Sequence, residues 1–242
     1  MLTFCKSSGT VYAEVMVMSR TKLADRVLPT YTRGEEIFNM VTHIVGGAIG
    51  VAVLVLCIVR SALHHSGFGI ASSIVYGISM ILLYTMSSIY HGLSPKHDIA
   101  KKVFQIMDHC TIFVLIAGTY TPILLCSIMK ASAVWAWVLF GIIWGVTALG
   151  ITLNAIDIKA FEKFSMACYL VMGWCIIFKF NLVMQTMDPK GIILLVLGGV
   201  AYTIGTLFYG KQKTTKYMHS IWHLWILVGT LLHFLCIYLY VL

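Results

Sequence analysis

From residue 35 onward the chain alternates long apolar runs with short polar breaks. The apolar stretches fall at about 37–59, 68–90, 105–128, 133–153, 164–184, 191–209 and 217–241. Each is close to the roughly 20 residues that a helix needs to cross the hydrocarbon of a bilayer. The breaks carry Pro, Gly and charged residues, as in Ser94-Pro95-Lys96 and Asp188-Pro189-Lys190. This pattern predicts an all-α integral membrane protein, a seven-transmembrane helix bundle forming one domain over residues 35–242. A polar, loosely ordered segment over residues 1–34 precedes it. That segment has no sustained apolar core followed by a cleavage site, so it does not read as a secretion signal, and Met16 and Met18 offer alternative translation starts.

Composition agrees: 60% of the 242 residues are hydrophobic and 11% charged, which excludes soluble and disordered classes. The cysteines are odd in number, widely spaced and mostly within apolar runs, so they read as buried thiols rather than a disulfide framework. The net charge of +8 does not point to nucleic acid, because the basic residues sit between spans without interleaved aromatics. Sorting Lys and Arg by side explains them better. Thirteen fall on the side of the N-terminus and only Arg60, Lys130 and Lys190 on the other, which predicts a cytoplasmic N-terminus and a C-terminus outside. This orientation is opposite to that of a G-protein-coupled receptor, and the last span lacks an interior lysine for a retinal Schiff base.

Ionisable residues inside a span cost roughly 2.5–3.5 kcal/mol each, so those present are informative. They are His43 in the first span, His91 at the end of the second with Ser87 one turn before it, Asp108 and His109 in the third, Lys179 in the fifth, and His219, His223 and His233 in the seventh. Alternating span directions put His43, Ser87, His91, Asp108, His219 and His223 at one depth near the cytoplasmic leaflet. Ser87 and His91, and His219 and His223, are each four residues apart and so share a helix face.

His91, His219 and His223 would together make a three-nitrogen site suited to zinc, Zn2+, with a coordination position left open. Asp108 is then placed to orient and deprotonate an attacking water, and Ser87 to hydrogen-bond that water or the carboxylate. His43 reads either as support behind the ligands or as packing. His109 reads as structural, Lys179 as snorkelling to the outer surface, and His233, about ten residues or ~15 Å beyond His223, lies too far to share its metal. Gly46, Gly47, Gly50, Gly118, Gly141, Gly145, Gly198, Gly199 and Gly205 are expected to allow close helix approach. Pro122 is expected to kink the third span, with Thr119 and Thr121 meeting freed backbone groups, and Ile116 to Pro122 to line a cavity. Trp135, Trp137, Tyr209, Tyr217, Tyr238 and Tyr240 read as interfacial belts.

The ordered set Glu35, Asn39 and His43-x-x-Gly46, Ser87-x-x-Tyr90-His91-Gly92, Asp108-His109, Ile116-Ala117-Gly118-Thr119-Tyr120-Thr121-Pro122 and His219-Ser220-Ile221-Trp222-His223 resembles the bacterial hemolysin III proteins. These are grouped with the progestin and adipoQ receptors and the alkaline ceramidases in a superfamily of membrane hydrolases. The resemblance covers about residues 33–242, and residues 1–32 have no counterpart in it. It implies seven spans with the N-terminus inside, zinc held at His91, His219 and His223, and a metal-water role for Asp108.

The function expected from these residues is zinc-dependent hydrolysis of an amide or ester bond in a lipid substrate, in the plasma or inner membrane, with substrate entering from the bilayer. Two other readings stay open: a regulator of membrane lipid state pinned by structural zinc, and the pore-forming cytolysin that the family name suggests.

Overall fold

A computed structural model of the chain describes residues 3–7, 10–14, 20–212 and 214–242, and Met16 and Met18 lie outside them. Seven helices are long and apolar enough to cross a membrane: α1 Arg33–Leu63, α2 Gly67–Gly92, α3 Pro95–Ala131, α4 Ala133–Asp157, α5 Glu162–Thr186, α6 Pro189–Lys211 and α7 Met218–Tyr240. The protein is a multi-span membrane protein. The remaining regular structure is a short hairpin, β1 Thr3–Ser7 antiparallel to β2 Thr10–Glu14, and a 3-10 turn Leu23–Asp25. β-branched and aromatic residues in Thr3–Ser7 and Thr10–Glu14 favour that pairing, which hydropathy alone does not reveal.

Local chemistry sets the helix starts. Thr32 accepts the Glu35 N–H while the Glu35 carboxylate accepts the Thr32 N–H, a capping box that opens α1. Ser66, Ser132 and Asp188 cap α2, α4 and α6, with Pro189 at the first position of α6. α3 begins about ten residues earlier than its apolar run, because Lys101 and Lys102 continue the helix and are buried with partners.

Neighbours in sequence pack as neighbours in space, α1 on α2, α2 on α3, α3 on α4 and α6 on α7, and α7 returns to α1 to close the bundle. α3 runs through the middle: 78% of its most apolar window is buried, against 50% or less in the others. Tight crossings use glycine where a side chain has no room. A Cβ on Gly46 would collide with the Tyr84 ring. Gly141 and Gly145 do not serve this purpose, since nothing lies within 4 Å of a Cβ at either, so their helix face is not a close contact.

The distortion expected at Pro122 takes the form of a π turn, Ile123–Ile128, in which the Met129 N–H reaches back to the Leu124 carbonyl. The Thr119 and Thr121 hydroxyls donate to the Leu115 and Ala117 carbonyls one turn before them. α5 is broken by a 3-10 stretch, Cys175–Lys179. The Tyr120 hydroxyl covers the break, donating to the Gly173 carbonyl and accepting from the Ile176 N–H.

Candidate metal centre

Glu35, Asn39 and His43 recur every fourth residue and form the buried stripe of α1 at the end where that helix begins. They dock the start of α7. The Glu35 carboxylate accepts from the Tyr217 N–H at 2.6 Å, and the Asn39 side-chain oxygen accepts from the Ser220 hydroxyl at 2.6 Å. Tyr217 adopts a left-handed backbone conformation, φ 60°, immediately before α7. Its place at the helix entry and its N–H bond to Glu35 set the direction from which His219 and His223 project. The stripe from Glu35 through His43 is thus a positioning device for a helix about 180 residues away in sequence.

His91, His219 and His223 come together. Each offers one nitrogen, and the three atoms lie within 4.8 Å of one another. Ring centroids are 5.2 Å apart for His91 and His219, 5.1 Å for His91 and His223, and 4.6 Å for His219 and His223. The outward edges are held. His91 Nδ1 donates to Glu36 at 2.6 Å, and the other Glu36 oxygen takes Lys101 Nζ at 2.6 Å. His219 Nδ1 donates to the Gln212 side-chain oxygen at 2.7 Å. Those bonds leave Nε2 of His91 and Nε2 of His219 buried without a partner, and both nitrogens of His223 are likewise unspent. Buried polar atoms are seldom left unpaired, and histidines that bind a metal through one nitrogen commonly donate the other to a carboxylate or carbonyl. This set of neutral nitrogen donors could hold a metal ion.

Around the cluster, the segment before α1 does not behave as a loose leader. The Arg20 Nε and Arg26 guanidinium donate to the Ile156 carbonyl, and the Thr21 N–H to Asp157, at the end of α4. A helix C-terminus presents carbonyls without internal partners and attracts cations, which is why this basic stretch settles there. Lys102 Nζ of α3 donates to the Ala24 carbonyl. The segment then brings Tyr31 onto the histidines, its ring centroid 5.0 Å from that of His219 and 5.7 Å from that of His91. The Tyr31 hydroxyl donates to the same Gln212 oxygen at 2.9 Å. Burial pushes the Tyr31 phenol well above its ordinary value, so it is present as a donor.

On the bundle side, a cavity reaches the cluster from among α3, α5, α6 and α7. His223, His43 and Asp108 stand at one end, and Ile116, Thr119 and Tyr120 line its length, as expected for that stretch. His43 stacks on His223 with centroids 3.7 Å apart and meets the Tyr84 ring edge-on. Ser87 is fully buried with an unpartnered hydroxyl, but is not among the cavity's wall residues. His109 Nδ1 donates to the Gln105 carbonyl one turn before it. Lys179 lies 3.5 Å over the Trp135 ring. The Tyr209 ring packs on Trp222 at 4.8 Å, beside His219, because α6 ends against the start of α7.

Glu36, Gln212 and Tyr31 were not anticipated from the sequence. Glu36 carries a faint signal, seven residues before His43 and therefore near its face of α1. Gln212 and Tyr31 lie in polar connections whose pattern marks nothing.

A seven-helix membrane protein with three buried histidines gathered at one end is the class that fold and site define. The chain belongs to the haemolysin-III related family, whose profile matches residues 31–234. It is 36% identical over 208 residues to hemolysin-3 of Bacillus cereus, covering 86% of this chain and 92% of that protein. Over 210 residues it is 37% identical to a hemolysin-3 homolog of Bacillus subtilis strain 168, with 87% and 96% covered. A human relative, the monocyte to macrophage differentiation factor, is 26% identical over 171 residues, 69% of this chain and 68% of its own length.

Proposed function

We propose that the protein is a zinc-dependent hydrolase of a lipid amide or ester, with His91, His219 and His223 as the metal ligands. The observation that carries this reading is the convergence of three buried imidazoles whose inward nitrogens are unspent while two of their outward edges are fixed by Glu36 and Gln212. Among the described residues the cluster has three such donors, the ligand count of catalytic rather than closed structural zinc sites. Zinc, when bound, supplies a Lewis acid for a carbonyl and makes a water ionise near neutral pH.

The chain's own residues do the rest. Asp108, at the end of the cavity shared with His223, takes the proton of the attacking water and returns it to the leaving group. Ser87, buried behind the cavity wall, orients the Asp108 carboxylate with its hydroxyl. His43, stacked on His223, holds the ring in place. The apolar cavity takes the lipid's acyl portion and keeps bulk water out. The excess of Lys and Arg where α1 begins orients this end toward the cytoplasm of a plasma or bacterial inner membrane. The names of the two Bacillus relatives carry a lytic activity, but basic connections retained on one side favour residence in the cell's own membrane.

Elemental analysis of purified protein is expected to give about one zinc per chain, most of it lost in His219→Ala. Asp108→Ala keeps the zinc and abolishes fatty-acid release from a membrane lipid extract. Full zinc retention in His219→Ala contradicts the ligand assignment, and unchanged release in Asp108→Ala removes its role as base.

A further inference from the structure

His233 is a buried imidazole that the metal centre does not use. It lies ten residues beyond His223 on α7, ~15 Å deeper along the helix, and its ring forms part of the wall of the cavity. Its Nε2 is 3.0 Å from the Leu195 carbonyl. A carbonyl only accepts, so Nε2 carries the proton, and Nδ1 of the neutral ring presents a lone pair. Among the described residues no charged group acts on the ring to offset the cost of an imidazolium within a span, so the ring is neutral. Nδ1 is buried and has no partner.

The rest of the cavity wall makes this atom unusual. Thr119 donates to the Leu115 carbonyl, Tyr169 to the His109 carbonyl and Thr203 to the Gly199 carbonyl, while the Tyr202 hydroxyl pairs with Thr230. Trp174 Nε1 donates to Thr203, and Tyr120 is taken up by α5. The other buried side-chain atoms of wall residues without a partner, on His43, Trp222 and His223, gather at the metal end, so that among the described residues His233 Nδ1 is the one such atom on a wall residue far from it. It is an acceptor in otherwise apolar surroundings, and it calls for a donor delivered by whatever fills the cavity.

We propose that His233 binds a hydroxyl carried on the acyl chain of the substrate, roughly one cavity length from the reacting carbonyl, so that the lipid acted on is a chain-hydroxylated one. This inference rests on the reading of the cavity as the acyl site. A chain lacking the hydroxyl leaves Nδ1 unpaired, whereas a hydroxyl at the matching carbon donates to it and accepts nothing it needs. The residue thereby selects for the position of the group as well as its presence.

The test is equilibrium binding to the full-length protein in phosphatidylcholine nanodiscs. Octadecanoic acid and a series of hydroxyoctadecanoic acids, with the hydroxyl moved along the chain, compete against a fluorescent fatty acid. One isomer, or two adjacent ones, is expected to bind about tenfold more tightly than octadecanoic acid, the size of one net buried hydrogen bond. His233→Leu is expected to erase that preference while holding octadecanoic acid within about twofold of wild type, since an apolar residue keeps the wall. Equal binding of all isomers by the wild type overturns the proposal without recourse to any variant and leaves the acyl site standing. A preference that survives in His233→Leu overturns it too. Failure of every fatty acid to bind removes the acyl-site reading itself, and the hydroxyl site with it.

Discussion

Gln212 shows how much of the histidine cluster is built by residues outside it. Its side-chain oxygen takes two donors, His219 Nδ1 and the Tyr31 hydroxyl, and so fixes which edge of the His219 ring turns inward. Glu36 does the same for His91, with Lys101 balancing its charge. Loss of such outer partners commonly weakens metal binding by about 10–100-fold. Gln212→Ala is therefore expected to lower zinc affinity by about tenfold or more, measured by competition with a coloured chelator, with folding retained. Affinity equal to wild type would show that His219 needs no such fixing. At this scale the three clustered histidines were legible, because histidines cost so much in a span that each one stands out. Gln212 and Tyr31 were not, because in a polar connection a Gln or Tyr costs nothing and stands out from nothing.

Elements repeat the same contrast. The spans could be read from hydropathy alone, since crossing hydrocarbon demands long apolar runs, whereas the helix faces could not. Gly46 and Gly141 look alike in sequence, but only Gly46 sits under a ring, that of Tyr84, whose hydroxyl in turn bonds Thr230 of α7. Gly46→Val is expected to cost roughly 1–3 kcal/mol through overpacking, seen as a lower unfolding temperature in detergent, whereas Gly141→Val leaves it unchanged. Equal shifts for the two would mean that the crossing of α1 on α2 yields easily. The π turn after Pro122 and the 3-10 break in α5 also escaped the sequence pattern. Proline announces the disturbance in α3 but not its π form, and nothing in the run of α5 announces its 3-10 break, which is covered only when tertiary packing brings Tyr120 against it.

For the molecule as a whole, the seven-helix bundle and the gathering of histidines at one end were both legible, because alternating spans return every second connection to the same side. Orientation in the bilayer is argued from charge, and it is checked by labelling single cysteines placed in a cysteine-free background. A cysteine at Lys96 is expected to be shielded in intact cells and one at Lys190 reactive; the reverse pattern would invert the protein. The hold of residues 20–32 on the bundle was not legible, because it pairs a basic leader with carbonyls that become available only where α4 stops.

That hold also imposes a timetable on biogenesis. Arg20, Arg26 and Tyr31 are made before any of the seven helices, yet the acceptors at Ile156 and Gln212 do not exist until four and then six helices have followed. Residues 20–32 must therefore wait, undocked, until most of the helices have been inserted, and they come to rest only as the final helix brings its pair of histidines into register.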